Sequence, residues 1–288
     1  MKLKSFKSVQ RTLASTLLLF SVMTGNAVKA LQEDTTATKS LSTNNLVAVA
    51  KGNGKFKVQH YPIENSAYKK IEFILKESQA FEELAKGLNE TFAMPNDVTI
   101  KLGECGEANA YYAPSTHEIV MCYELMEAFA DNFFKTVDTE EELYKKVIFA
   151  TLFVFMHEMG HALIGELDLP TTGKEEDAVD QLATIIMTLA GDEGGEIALA
   201  AAKQFELAGS KQTDLQELPF WDEHSLDQQR YYGIVCLLYG SNAEKYTFLA
   251  QQAGLPESRA QRCEAEYVKT ATSWMKLLEP YVREEQKI

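Results

Sequence analysis

Hydrophobic and polar residues change period along the first part of the chain. Residues 56–61 alternate like a short strand, whereas residues 65–91 carry apolar side chains at helical spacing, which predicts one helix or a broken helix pair. Two strand-like runs at 98–102 and 118–122 flank a stretch rich in Gly, Asn, Tyr and Pro. These two runs are predicted to form a hairpin or another strand pair.

The second part of the chain is predicted to be helical. Thr139 followed by Glu142 is a capping-box signature, and it opens a long apolar helix over residues 140–164 that Gly165 ends. Apolar residues lie nearly all round the second half of this helix, so it is predicted to be central and buried. Further helices are predicted over 174–189, over 197–207 after a Gly-rich break, over 226–239 with Ser225 and Gln228 as a capping box, and from 257 onward.

The N-terminus carries the features of a signal peptide. Four basic residues precede an apolar run at 13–23 that is too short to span a bilayer, and Val28 and Ala30 precede a predicted cleavage site. Residues 1–30 are therefore predicted to be removed, residues 31–54 to form a flexible polar leader, and residues 55–288 to form one domain. We expect a periplasmic or secreted protein with no stable membrane anchor after cleavage; an uncleaved N-terminal anchor is the alternative.

The net charge of the protein limits the classes of molecule that it is expected to bind. The net charge is −14, and it becomes −19 when residues 1–30 leave, because they hold five basic and no acidic side chains. So acidic a surface repels phosphate backbones and anionic lipid. Neither nucleic acid nor an anionic membrane is an expected partner.

The four cysteines are predicted to be structural. An even number in an oxidising compartment indicates disulfides, for which three pairings are possible. Proximity along the chain favours Cys105 with Cys122 and Cys236 with Cys263.

The chemical signal is the sequence HEMGH within the long predicted helix. His157 and His161 are four residues apart, so they lie on one helix face and can present two imidazole nitrogens to one zinc ion. Glu158 points to the neighbouring side, where it can act as the general base toward an activated water. Two ordinary core histidines are the simpler alternative, but they would bury a carboxylate between them without a partner.

A third zinc ligand is expected in the acidic run KEEDAVDQLA. Glu176 ranks first as ligand, and Asp180, four residues later on the same face, ranks first as hydrogen-bond acceptor for a ligand histidine. Asp180, Glu175 and Asp177 remain open as alternative ligands. The competing explanation is that carboxylates in a first turn only stabilise the helix dipole.

HEMGHALIG followed by EEDAVDQLA resembles the glutamate-zincin pattern of prenyl-protein endopeptidases and ImmA/IrrE-type peptidases. With CGEANAYY, EIVMCYEL, WDEHSLDQQRYYGIVCLLYG and RCEAEY, most of residues 55–270 also resembles a bacterial family of predicted metallopeptidases of unknown function. The resemblance implies a zincin-like α+β fold, mostly helical with a small sheet beside the HExxH helix. It also implies that residues 118–122 form the strand that aligns an extended substrate, and that Gly160 allows close approach beside the ligands.

His224 is a candidate catalytic residue, because peptidases of this kind often use an extra side chain to stabilise the oxyanion. A loop histidine bonded to backbone is the alternative, and Tyr111, Tyr112 and Arg230 are weaker candidates.

The sequence thus predicts a zinc metallopeptidase acting on peptides or proteins. A non-catalytic zinc-binding protein and a zinc amidase with a non-peptide substrate are kept as alternatives.

Overall fold

The computed structural model describes residues 52–211, 214, 216–251 and 254–283. Within them the chain has an α+β fold, mostly helical with one four-stranded sheet, as predicted. The predicted signal peptide and residues 31–51 of the predicted leader lie outside the described residues.

The sheet consists of β1 (Phe56–His60), β2 (Val98–Gly103), β3 (Ala110–Ala113) and β4 (Glu118–Cys122), in the order β1-β2-β4-β3. The strands β1, β2 and β4 are parallel, and β3 pairs with β4 in antiparallel orientation. The predicted pair at 98–102 and 118–122 forms, but it is parallel. The hairpin joins β3 to β4 instead, because β3 lies inside the stretch that we expected to be a connection.

Two predicted helices and one unpredicted helix lie in the first half of the described chain. The predicted broken pair is α1 (Lys69–Ser78) and α2 (Ala80–Thr91), separated by Gln79 in the left-handed conformation with φ of 49°. The missed helix, α3 (Tyr123–Phe133), follows β4 directly and buries residues at helical spacing: Tyr123, Met126, Phe129 and Phe133.

Helix α4 (Glu140–Leu167) is the centre of the fold. The Thr139 side chain accepts a hydrogen bond from the Glu142 N–H at 3.1 Å, as the capping signature predicts. By length and composition α4 could cross a membrane, but 78% of its most apolar window is buried inside the protein, as expected of a core helix. The predicted end is wrong by three residues: α4 ends at Leu167 instead of residue 164, and Asp168 instead of Gly165 supplies the left-handed residue that follows.

Helices α5 (Glu175–Leu189) and α6 (Gly191–Gly209) pack against α4. The predicted Gly-rich break is shorter than expected: α5 and α6 are separated at Ala190, Gly191 has a positive φ of 72°, and Gly194 and Gly195 lie inside the first turns of α6. The lack of a side chain at these two glycines allows close packing. A Cβ at Gly194 would lie 2.0 Å from the Met187 carbonyl oxygen, and a Cβ at Gly195 would lie 2.1 Å from the Tyr246 hydroxyl oxygen.

The C-terminal part adds α7 (Asp227–Ser241), α8 (Thr247–Gln251) and α9 (Glu257–Leu278). The start of α7 is shifted by one residue from the prediction, since the Gln229 side chain, rather than Gln228, accepts the cap hydrogen bond from the Leu226 N–H at 3.1 Å. Both favoured disulfides, Cys105–Cys122 and Cys236–Cys263, are confirmed. They indicate an extracellular or periplasmic protein.

Gly160 brings α4 and α5 into close contact. A Cβ at Gly160 would lie 2.8 Å from Cγ1 and 2.9 Å from Cβ of Val179, which is fully buried on α5. The close approach that we expected at Gly160 is therefore made by a neighbouring helix.

We predict that Gly160→Ala lowers the free energy of unfolding by about 1–3 kcal/mol, because α4 and α5 must separate to admit the methyl group. Gly233→Ala is the matched control, since Gly233 is also helical and nothing lies within 4 Å of an added Cβ. That control should gain up to about 1 kcal/mol from helix propensity. Urea unfolding measures both; equal stabilisation of the two variants would contradict the close packing at Gly160.

Candidate metal centre

Helix α4 carries His157 and His161 on the side that α5 covers, and Glu158 on the adjacent side, where it lines a cleft. His157 and Glu158 are buried, and the His161 side chain is 16% exposed. The two imidazole ring centroids are 5.0 Å apart and nearly perpendicular. One helix turn thus places both imidazoles beside the first turns of the next helix.

Each histidine of the motif contacts a carboxylate through Nδ1. His157 Nδ1 lies 2.7 Å from Asp180 Oδ1, and His161 Nδ1 lies 2.8 Å from Glu175 Oε1. The earlier histidine contacts the later acid, so α5 runs antiparallel to α4. Carboxylates at Nδ1 fix the ring orientation and leave Nε2 free to bind a metal ion, which is the usual arrangement around metal-bound histidines.

Glu176 lies between the Nε2 atoms. Its Oε2 is 3.0 Å from His157 Nε2 and 3.0 Å from His224 Nε2, and its Oε1 is 3.3 Å from His161 Nε2. These contacts lack hydrogen-bond geometry, and among the described residues the buried Oε2 has no hydrogen-bond partner. Ligand atoms that share a tetrahedral zinc ion are about 3.3 Å apart. The residues present therefore fit a metal ion.

The ligand atoms of His157, Glu176 and His224 all lie within 4.8 Å of one another, which makes them one candidate metal-binding group among the described residues. His161 reaches this group through the other oxygen of Glu176. His224 lies on the loop before α7, its side chain is 45% exposed, and its ring stacks on His157 with centroids 6.4 Å apart. The structure thus brings together all the predicted site residues.

The charges of the site shift several pKa values. Burial opposes the charge of Glu176, but the three imidazoles outweigh burial and hold its pKa far below the ordinary value. Burial opposes protonation of His161, but Glu176 and Glu175 raise its pKa to about 9. Burial also raises the pKa of Glu158, although the two histidines act against that shift. Glu176 is therefore anionic, and the carboxylates around the imidazoles attract positive charge, either as protons on the rings or as a metal ion.

Arg230 completes the contacts of Asp180. Its Nε and Nη2 donate to the two Asp180 oxygens at 2.7 and 2.8 Å, and its guanidinium lies 4.1 Å from the Phe205 ring centroid. Burial opposes ionisation of Asp180, but Arg230 and His157 lower its pKa to about 2. Arg230 therefore holds Asp180 through Nε and Nη2, and the oxyanion role considered from the sequence stays a prediction.

The open strand edge at the site belongs to β3. We expected residues 118–122 to align an extended substrate, but β4 is paired on both sides, with β2 and with β3. Burial raises the pKa of Glu158, and the Tyr112 backbone on β3, which faces the Glu158 carboxylate, partly offsets that rise. Tyr111, the other tyrosine considered, is exposed.

A second carboxylate of α4 holds β3 in place. The Glu166 side chain is only 2% exposed and accepts hydrogen bonds from the Tyr112 hydroxyl at 2.6 Å, from Asn96 at 2.9 Å, and from His117. A Cβ at Gly165 would lie 3.2 Å from the Tyr112 ring. His117 is therefore tied to Glu166, a contact that no pattern in the sequence predicts.

Beside Glu158 a cleft of about 160 Å³ opens between α3, α4 and α6. Its metal end consists of His157, Glu158, His224 and Arg230, and most other lining residues are apolar. Three of these features were not predicted from the sequence: Glu175 as a partner of His161, Arg230 as a partner of Asp180, and the cleft itself. The spacing of Glu175 before Glu176 was visible, but its histidine partner depends on how α5 packs.

Two histidines and a carboxylate around one point, with a second buried carboxylate beside them, define a candidate hydrolytic metal centre. Residues 60–278 match the family model described as "Putative metallopeptidase", and the chain belongs to this family. The family implies a metal ion and a hydrolase that acts on peptides. No curated protein and no solved structure shows a significant match to the chain.

The Glu166 contacts generate a prediction about pH. Burial opposes the charge of Glu166, but the hydrogen bonds from Tyr112, Asn96 and His117 outweigh burial and hold its pKa below 4.5. A lowered pKa stabilises the fold above the ordinary value, and this stabilisation is lost as the pH falls through the folded pKa. Glu166→Gln should therefore cost about 1–3 kcal/mol at neutral pH and progressively less as the pH falls below the ordinary titration range of a glutamate.

Urea unfolding of wild type and Glu166→Gln over this pH range measures the difference. Glu141→Gln, at an exposed position of the same helix, is the control and should stay within about 0.5 kcal/mol of wild type. A Glu166→Gln cost that does not change with pH would mean that the carboxylate charge is not what holds β3.

Proposed function

We propose that this protein is a secreted zinc metallopeptidase in which His157, His161 and Glu176 bind zinc and Glu158 is the general base. The observation that carries the proposal is the convergence of three Nε2 atoms on Glu176, at 3.0–3.3 Å and without hydrogen-bond geometry. Two imidazoles and one glutamate are the protein ligands of catalytic zinc in several peptidases. The same donor types also occur in iron oxygenases, but Glu158 beside the cleft favours hydrolysis.

When bound, zinc would polarise the substrate carbonyl and lower the pKa of a water molecule toward neutrality. Glu158 takes the proton from the attacking water and transfers it to the leaving amine. Its burial and raised pKa suit a group that must hold a proton between these steps. The open edge of β3 would pair with an extended substrate backbone above Glu158.

His224 is the proposed donor to the oxyanion that develops on the substrate carbonyl. It lies on the exposed side of the cluster, and its Nδ1 is 3.0 Å from Asp222 Oδ1. Glu176 and Asp222 raise the pKa of His224, which favours the protonated, hydrogen-donating form. Its short distance to Glu176 also allows a direct role as a ligand, so its variant belongs in the metal measurement below.

The test begins with the metal. Elemental analysis of purified residues 31–288 should give one zinc per chain, with zinc lost in His157→Ala and in Glu176→Ala. His224→Asn should retain zinc if His224 acts only on the substrate. A wild-type protein without zinc would contradict the proposal and would favour the alternative that His157 and His161 are core histidines.

Glu158→Gln tests the chemistry separately from the metal. It should keep its zinc and cleave a broad peptide library roughly 10²- to 10⁴-fold more slowly, because only the base is removed. Cleavage at the wild-type rate would exclude Glu158 as the base. A zinc-loaded wild type that cleaves no peptide would favour the non-peptide amidase or the non-catalytic protein.

Asp180→Asn should weaken zinc binding by about 10- to 100-fold, because His157 loses an anionic partner that fixes its ring and raises its basicity. Competition with a chelator measures this change. The control is Asp192→Asn, whose carboxylate is exposed and pairs with Lys245. Equal zinc affinity of all three proteins would mean that Asp180 serves the fold and not the metal.

A further inference from the structure

The cleft beside Glu158 has one polar and one apolar part. Its apolar walls come from three helices and include Leu125 and Phe129 on α3, Ala150 and Val154 on α4, and Ala201 and Phe205 on α6; we call this part the apolar cleft. The lining charges among the described residues, His157, Glu158, His224 and Arg230, are all at the metal end.

The apolar cleft is continuous with the proposed base. Val154 lies four residues before Glu158 and Ala150 lies eight residues before it, so all three share a face of α4. Residues 108–110, which lead into β3, line the same cleft. A peptide on the open edge of β3 would therefore reach Glu158 with its backbone and the apolar cleft with an adjacent side chain.

The charges on the lining disfavour an ionised occupant. The Arg230 guanidinium is already paired with both oxygens of Asp180 through Nε and Nη2 and lies on the Phe205 ring, so most of its charge is compensated before an acidic side chain could reach it. The apolar walls hold no carboxylate for a basic one. A charged side chain would lose its hydration there without compensation.

We propose that the apolar cleft is the specificity pocket, and that it binds a bulky apolar side chain of the substrate residue next to the scissile bond. This inference rests on the proposed function, because the scissile bond is placed by the metal and Glu158. The substrates are then unstructured or unfolded segments that expose large aliphatic or aromatic residues.

The experiment measures binding, so it does not need turnover. Calorimetry on the zinc-loaded protein compares peptide hydroxamates that differ in one side chain: benzyl, isobutyl, methyl, carboxyethyl or aminobutyl. The benzyl and isobutyl compounds should bind roughly 10- to 100-fold more tightly than the methyl compound, because each buries a large apolar group. The two charged compounds should bind no better than methyl.

Two variants test whether the preference for bulky side chains arises in the apolar cleft. Val154→Phe fills it from α4 and Leu125→Phe narrows it from α3, and each should abolish most of the preference for bulky side chains. Ile148→Phe is the matched control, because Ile148 lies on the same helix but lines a separate groove with Lys70 and Ile71. Circular dichroism identifies any variant that does not fold.

Equal affinity across the side chains, a preference for a charged compound, or an unchanged preference in both folded cleft variants would overturn the inference. Zinc content is measured on the same protein samples. Absent zinc would overturn the proposed function and this inference with it, whereas present zinc with a flat ranking would overturn this inference alone.

Discussion

The antiparallel packing of α5 against α4 is the contact on which the site depends. At Gly160 the two helices approach so closely that a Cβ would lie 2.8 Å from Val179. On one side of this contact Glu175 meets His161, and on the other Asp180 meets His157. Glu176, between these two acids in sequence, is thereby held against the Nε2 side of both rings. One interhelical distance therefore sets the position of two imidazoles and three carboxylates.

The part of the sheet that lies next to the candidate site is its edge strand, β3. Strand β3 is held to α4 at two heights of the helix, by its backbone at Glu158 and by the Tyr112 hydroxyl at Glu166. These two glutamates are eight residues apart and lie on one face of α4. The strand edge and the general base thus share a rigid support, which is what an extended substrate requires for a reproducible approach to a metal centre.

Much of the architecture could be predicted because the local signals were strong. The capping residue Thr139 and the apolar run after it identified α4, and short sequence separations identified both disulfides. The errors arose where tertiary packing overrides local preference: Gly194 and Gly195 accommodate neighbouring groups instead of breaking a helix. The HExxH spacing predicted the position of the candidate site. Arg230 and the residues of the cleft come from elements far apart in sequence, so their proximity depends on the tertiary fold.

Charge balance gives a separate argument about the metal centre. Four carboxylates lie in the cluster, on Glu158, Glu175, Glu176 and Asp180, and among the described residues Arg230 is the permanent cation that contacts them. So much negative charge in a largely buried site is costly unless cations compensate it. Protons on His157 and His161 can do so, as the raised pKa values of both imidazoles indicate. A divalent ion provides the same charge at one point while both imidazoles stay neutral, and it satisfies the unpaired oxygen of Glu176 as well. The electrostatics that stabilise the fold and those that would bind a metal are therefore the same.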